Sequence, residues 1–375
     1  MDRRLLIKTG LATIGAGMVP SALRAQGPLP GAPTPGLQQA TIADPAPAPD
    51  VTGRISPQAH GKSLMVVNKQ ALTIGFYDAA TGQTQKTFSL PPRPHELLIA
   101  RNGRTAYVSI YGDGIYSANP HPGNQVAIVD LAERRCTGFL STGSVWAPHG
   151  LAEAPDGTIW ASCDIGKTVV GFDPASQRQV GAIPVNHAGG HWIVAHPTNG
   201  TAFLSNRAGS GIVVVDLAQR RVAGTIDTPH AITGLALSPD GARLFAADDQ
   251  RPALLTIDTA ARTILASTDL EGLPFSTAAH GDRERRVRVS PDGRYVLVAD
   301  FPSAGLVRVD AARPQRQKLL LIQHGPMGMA FSPDGATLWA CNHDAGTITI
   351  VDVATMTALR DFAVEPGAET AALLG

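Results

Sequence analysis

Several scarcities narrow what this chain can be. Of its 375 residues only three are cysteines, Cys136, Cys163 and Cys341. An odd set excludes a complete disulfide framework, so packing must hold the fold together. No uninterrupted apolar run approaches the roughly 20 residues a spanning helix needs, and no membrane span is expected in the mature protein. Charge is sparse at 17% and balanced, with 31 Lys and Arg against 31 Asp and Glu. Without a basic surplus or a run of Lys and Arg, the electrostatic footprint of nucleic-acid binding is missing, and no nucleic-acid partner is expected. What the chain does have is apolar residues, 43% of the total, enough to bury a core.

The N-terminus has the form of a targeting segment. Arg3-Arg4-Leu5-Leu6-Ile7-Lys8 resembles a twin-arginine export signal, the mildly apolar stretch Thr9 to Val19 follows it, and Ala22-Leu23-Arg24-Ala25 offers small residues at a cleavage site. Residues 1–25 are therefore read as a signal peptide and the periplasm as the destination. Residues 26–50, rich in Pro, Ala and Gly, read as a disordered leader. The folded domain is expected over 51–375, and without the signal its charge is slightly acidic.

That remainder repeats. An Asp closes an alternating apolar run seven times, at Asp78, Asp130, Asp173, Asp216, Asp258, Asp310 and Asp352, at intervals of 42 to 43 residues with two of 52. A second column consists of hairpin turns: Pro155-Asp156-Gly157, Pro239-Asp240-Gly241, Pro291-Asp292-Gly293 and Pro333-Asp334-Gly335, with Asn102-Gly103 and Asn199-Gly200 in the same role. A period near 40 with short strands predicts an all-β, seven-bladed β-propeller with four antiparallel strands per blade. The C-terminal Thr370 to Leu374 is predicted to close the first blade as its inner strand, beside Ser63 to Val67, Leu72 to Tyr77 and Thr84 to Leu90. The repeated Asp residues, and Asn68, Asn206, Asp248, Asp300 and Asn342 at the ends of second strands, read as turn caps.

The repeats resemble the YVTN-type units of periplasmic YncE-like propellers, most closely at Ser238 to Asp248 and at Gly346 to Asp352, and the similarity covers nearly all of Ser63 to Gly375. It implies the propeller fold and leaves the activity open, since propellers host unrelated functions. One blade, Ala147 to Trp160, resembles a streptogramin lyase repeat, a family in which channel histidines act as base beside a divalent metal. That would give His149 the role of a base, although the family's third-strand pattern is not matched here.

Histidine placement is the chemically distinctive signal. His95, His149 and His191 stand at one step, immediately before predicted inner strands, while His230 and His324 stand three residues further back in their own blades. His187 and His280 fall in entry loops, and His121 and His343 follow second strands. Nine of the eleven histidines thus map to one face, where the two longer repeats also insert, around Tyr111 to Asn124 and Gly272 to Arg286. His196 maps to the opposite face.

The candidate metal ligands are His95, His149, His191, His230 and His324. Neutral imidazole suits a transition metal, copper or zinc, and equally a polar site for an organic ligand. Cys163 is a possible soft ligand or a buried structural thiol. The leading expectation is binding of a transition metal or small molecule at the channel mouth. The alternatives are a metal-assisted lyase or lactone hydrolase with His149 or His191 as base, and a scaffold for another periplasmic protein.

Overall fold

The computed structural model describes residues 52–114, 118–185, 189–273 and 284–375. The expected signal peptide and leader lie outside the described residues, as do His187 and His280 and most of the second insertion. No helix of the described residues is long and apolar enough to cross a membrane.

The described chain is almost entirely antiparallel sheet, five sheets of four strands and one of seven. In the seven-stranded sheet the strand Arg221–Leu237 runs without a break from the outer edge of one repeat unit into the inner strand of the next. Counting that sheet as two units gives seven. The first strand of each unit packs on the first strand of the next, and the circle closes because Ala368–Leu373 touches both Pro326–Phe331 and Pro94–Ile99. This is a β-propeller with its inner strands around a central channel.

Closure is made as the sequence suggests, by the C-terminal strand. Ala368–Leu373 pairs antiparallel with Ser63–Asn68, Leu64 opposite Leu373 and Val67 opposite Thr370. The strand begins two residues earlier than the sequence pattern gave, which brings Glu369 into it. Trp339 of the last unit donates its indole N–H to the Ala79 carbonyl of the first at 2.8 Å, and both units share one core around Leu64, Val66, Tyr77, Trp339 and Ile350. An edge that would otherwise stand unpaired is covered.

The Asp column caps its turns. Asp78 accepts from the amides of Ala80 and Thr81 at 3.1 and 2.8 Å, and Asp258 from Ala260 and Ala261 at 3.0 and 2.9 Å. Of the second-strand acids, Asp248 caps its turn, accepting from the amides of Gln250 and Arg251 at 2.9 and 3.0 Å, and also holds His230, whereas Asp300 makes no cap and instead pairs with the wholly buried Arg285 at 2.6 Å.

Candidate functional site

Three histidines converge because three inner strands bulge at the same step. In Pro94–Ile99, Pro148–Glu153 and Gly190–Ala195 the register slips by one residue just after the first position. Two residues there oppose a single serine of the second strand, Ser109, Ser162 or Ser205. Each serine hydroxyl accepts from the amide that the bulge frees, on Glu96, Gly150 and Trp192 at 3.0, 3.0 and 2.9 Å. Bulges re-aim side chains. Here they turn His95, His149 and His191 into one cavity, where the tilted rings pack in a row with centroids 4.3 Å apart for His95 and His149 and 3.9 Å apart for His149 and His191.

All three imidazoles are buried, and burial is the first reason that they are hard to protonate. His95 and His149 are held well below the ordinary imidazole range, Lys69 adding to the effect on His95 and the neighbouring imidazoles to that on His149. His191 is pushed down to about 4. His95 Nδ1 lies 3.2 Å from Glu96, and its Nε2 faces the Lys69 ammonium at 2.7 Å. His191 Nδ1 donates to the Thr233 carbonyl at 3.0 Å, while its Nε2 faces Arg207 at 3.3 Å. Both therefore carry the proton on Nδ1 and present an accepting Nε2 to a cation.

Below and beside the imidazoles lies a buried ion network that the sequence reading did not single out. The Arg286 guanidinium bonds Glu96, donates to Glu369 at 2.9 Å, pairs with Glu284 at 3.0 Å and lies 4.8 Å from the Trp192 ring centroid. Arg207 pairs with Glu284 at 3.2 Å, and Lys69 approaches Glu369 at 3.9 Å. Three cations thus face three carboxylates, as buried charge requires. Burial opposes the charge of Glu284 and Glu369, but His191, Arg207 and Arg286 around the first and Lys69, His95 and Arg286 around the second outweigh it and hold both at about 2. For Glu96 burial wins and its carboxyl is raised, with Arg286 partly offsetting it. Beside the imidazoles, the Tyr111 hydroxyl donates to Asp164 at 2.7 Å, and burial lifts Asp164 to about 6.

The three imidazoles, Tyr111 and the ion network other than Glu96 enclose a cavity of about 290 Å³ at the mouth of the channel, with Phe301, Met327, His343 and Asp344 completing its wall. Not every expected residue reaches it. His230 is fastened to Asp248, Nδ1 to Oδ2 at 2.7 Å, and does not line the cavity. His324 is exposed and does not line it either, because its loop leaves it in solvent rather than turning it inward. His121 pairs with Asp113 in the open, whereas His343 does reach the wall, its Nε2 3.5 Å from Glu369. Cys163 is buried among Tyr107, Ile159 and Val170, and burial raises its thiol, so it belongs to the core. Among the described residues the compact set of candidate metal donors is His95, Glu96 and His149, whose ligand atoms lie within 4.8 Å of one another.

The missed residues left a faint signal. Glu369 occupies in the closing strand the step that His95, His149 and His191 hold in theirs, an acid in the otherwise small, apolar Ala368-Glu369-Thr370-Ala371-Ala372. Arg285-Arg286-Val287-Arg288 is an inner strand with three arginines. Charges at channel-facing steps of inner strands were the cue.

No family model matches this chain, and no curated protein does. Solved structures do. Hydrazine synthase of Kuenenia stuttgartiensis superposes with a TM-score of 0.67 at 17% identity, covering 85% of this chain and 99% of that one. A functionally unknown protein from Desulfotomaculum acetoxidans DSM 771 gives 0.64 at 13% identity, covering 84% and 99%. At such identities the likeness is one of fold.

Proposed function

We propose that this protein is an exported YncE-like propeller that binds a small neutral or zwitterionic molecule in the histidine-lined mouth of its channel. The observation that carries this reading is the cavity of about 290 Å³, whose wall offers accepting imidazoles, the donors Lys69 and Arg207 and the acceptors Glu284 and Glu369 together. Its cations and carboxylates are matched, so a ligand whose own charges cancel leaves the wall balanced. Phe301 and Met327 supply apolar contact at the same place, the usual composition of a small-molecule site. The Arg3-Arg4 signal supports export, and the repeats of Ser238 to Asp248 and Gly346 to Asp352 support the YVTN-type assignment.

A second reading, a transition metal on His95, Glu96 and His149, is favoured by the compactness and burial of those donors and by the neutrality of the imidazoles. It requires the metal to displace Lys69 from His95 Nε2 and to compete with Arg286 for Glu96. The enzyme reading is weaker, since His149, held well below the ordinary imidazole range, and His191, pushed down to about 4, are poor bases at neutral pH.

Calorimetric titration of the whole chain with a panel of free amino acids, and separately with Zn²⁺ and Cu²⁺, tests the choice, using wild type and Lys69→Met. Saturable binding of an amino acid that weakens in Lys69→Met supports the first reading. Metal binding that tightens in Lys69→Met, where a competing cation is gone, supports the second. If no amino acid binds, and denaturing the protein isolated from periplasmic extract releases no small molecule, the first reading is wrong.

A further inference from the structure

We propose that the opposite half of the channel is a second binding site, for a linear aliphatic carboxylate whose head group sits on Arg288. The channel is divided by its own register. At the step after the histidines the seven inner strands carry Glu96, Gly150, Trp192, Gly234, Arg286, Gly328 and Thr370. A Cβ on Gly234 would lie 2.3 Å from the Arg285 carbonyl, and one on Gly328 2.5 Å from Thr370 Cα. The strands approach most closely there, and Arg286 stacked on Trp192 fills the neck.

Two steps further along, the strands carry Leu98, Ala152, Val194, Ala236, Arg288, Ala330 and Ala372. Six apolar residues, four of them alanine, leave a wide layer with one cation in it. A cavity of about 620 Å³ opens here, lined by inner-strand residues such as Leu151, Ile193, Leu237 and Phe331, and it shares no lining residue with the mouth.

Arg288 stands open in that cavity, and among the described residues it has no hydrogen-bond or ion-pair partner. The other arginine on the wall, Arg101, is taken by Glu153 at 3.3 Å. A guanidinium in apolar surroundings is satisfied best by a planar anion that accepts from two of its N–H groups, which a carboxylate does. The alanine, valine and leucine side chains level with it give an unbranched hydrocarbon tail apolar contact. Charge and shape together select the class, and this inference does not depend on the reading of the mouth.

The probe is sodium decanoate below its micelle concentration, titrated calorimetrically into the whole chain, with decanol and sodium sulfate as controls. One saturable site is expected, with affinity falling at least about tenfold in Arg288→Leu and less in Arg288→Lys, in line with the loss of a charge-assisted pair. Decanol should bind more weakly, with no dependence on residue 288, and sulfate should not displace decanoate at equal concentration. Absence of saturable decanoate binding, an unchanged affinity in Arg288→Leu, decanol binding as tightly as decanoate, or displacement by equimolar sulfate would each overturn the proposal.

Discussion

Arg286 and Arg288 lie on the same face of one inner strand, two residues apart, and live in opposite environments. Around Arg286 the chain supplies Glu96, Glu284 and Glu369 from three elements and an indole face from Trp192. Around Arg288 it supplies alanine, valine and leucine. The first cation is internal structure, and it separates a mouth lined by ions and imidazoles from a vestibule where alanine, valine and leucine surround a single cation at the level of Arg288. The second has been left without a partner by its neighbours. One strand thus shows how the same side chain is scaffold where its charge is matched and a candidate contact where it is not.

The sharpest break of that comparison is Arg286→Met. It leaves three carboxylates buried around a hole, and removal of one member of a buried ion network costs about 3–5 kcal/mol. Urea unfolding should show a loss of that order, or a chain that no longer folds. Adding Glu96→Gln and Glu369→Gln to Arg286→Met should restore much of it, because the unmatched charges are then gone. A single variant as stable as wild type would mean that the carboxylates do not depend on Arg286.

The mouth should also answer to acid where the vestibule does not. His95, His149 and His191 have folded values below that of a free imidazole, so as the pH falls below about 6.5 the unfolded chain takes up protons that the folded one refuses. Their contribution is complete above that pH and is lost on the way down. For His191, a folded value of about 4 corresponds to roughly 3 kcal/mol, fully lost only below pH 4. Glu284 and Glu369 act in a lower window: their folded values of about 2 contribute stability present above about 4.5 and lost as the pH drops toward 2. Asp164, lifted to about 6, and Glu96, also raised, act in the opposite sense between pH 7 and pH 4, but three imidazoles outweigh two carboxyls, so unfolding free energies should fall over that range and His149→Gln should flatten the slope. A wild-type slope unchanged by His149→Gln would assign the loss to other groups.

The two halves of the channel were unequally legible in the sequence. Strand order, the turn-capping Asp column and closure by the C-terminal strand follow from periodicity and turn chemistry, which are local. The convergence of His95, His149 and His191 was also readable, because it repeats at one step of consecutive units. The bulge that aims them has its own mark in Ser109, Ser162 and Ser205, which the sequence reading passed over. His230 and His324 share the histidine signal but not the step, and the structure leaves them outside the cavity. The ion network could not be read in the same way. Arg286 meets Glu96 across 190 residues and Glu369 across 83, and nothing local tells an arginine which acids it will face. Starting the closing strand at Thr370 rather than Ala368 hid Glu369 as well.

The smallest effect expected is the one that most directly sets Arg288 apart from its neighbour. Arg288→Met replaces an unpartnered guanidinium with a flexible apolar chain of similar reach, in a layer of alanine, valine and leucine. No hydrogen bond or ion pair among the described residues is broken, and the charge removed is one that stands open in the cavity. Substitutions away from such interactions usually stay within about 0.5 kcal/mol. The change expected here lies within that range. Urea midpoints of wild type and Arg288→Met at pH 7, without added ligand, measure it. A loss above about 1 kcal/mol would mean that Arg288 holds the fold through a partner of its own, and the contrast between the two arginines would disappear.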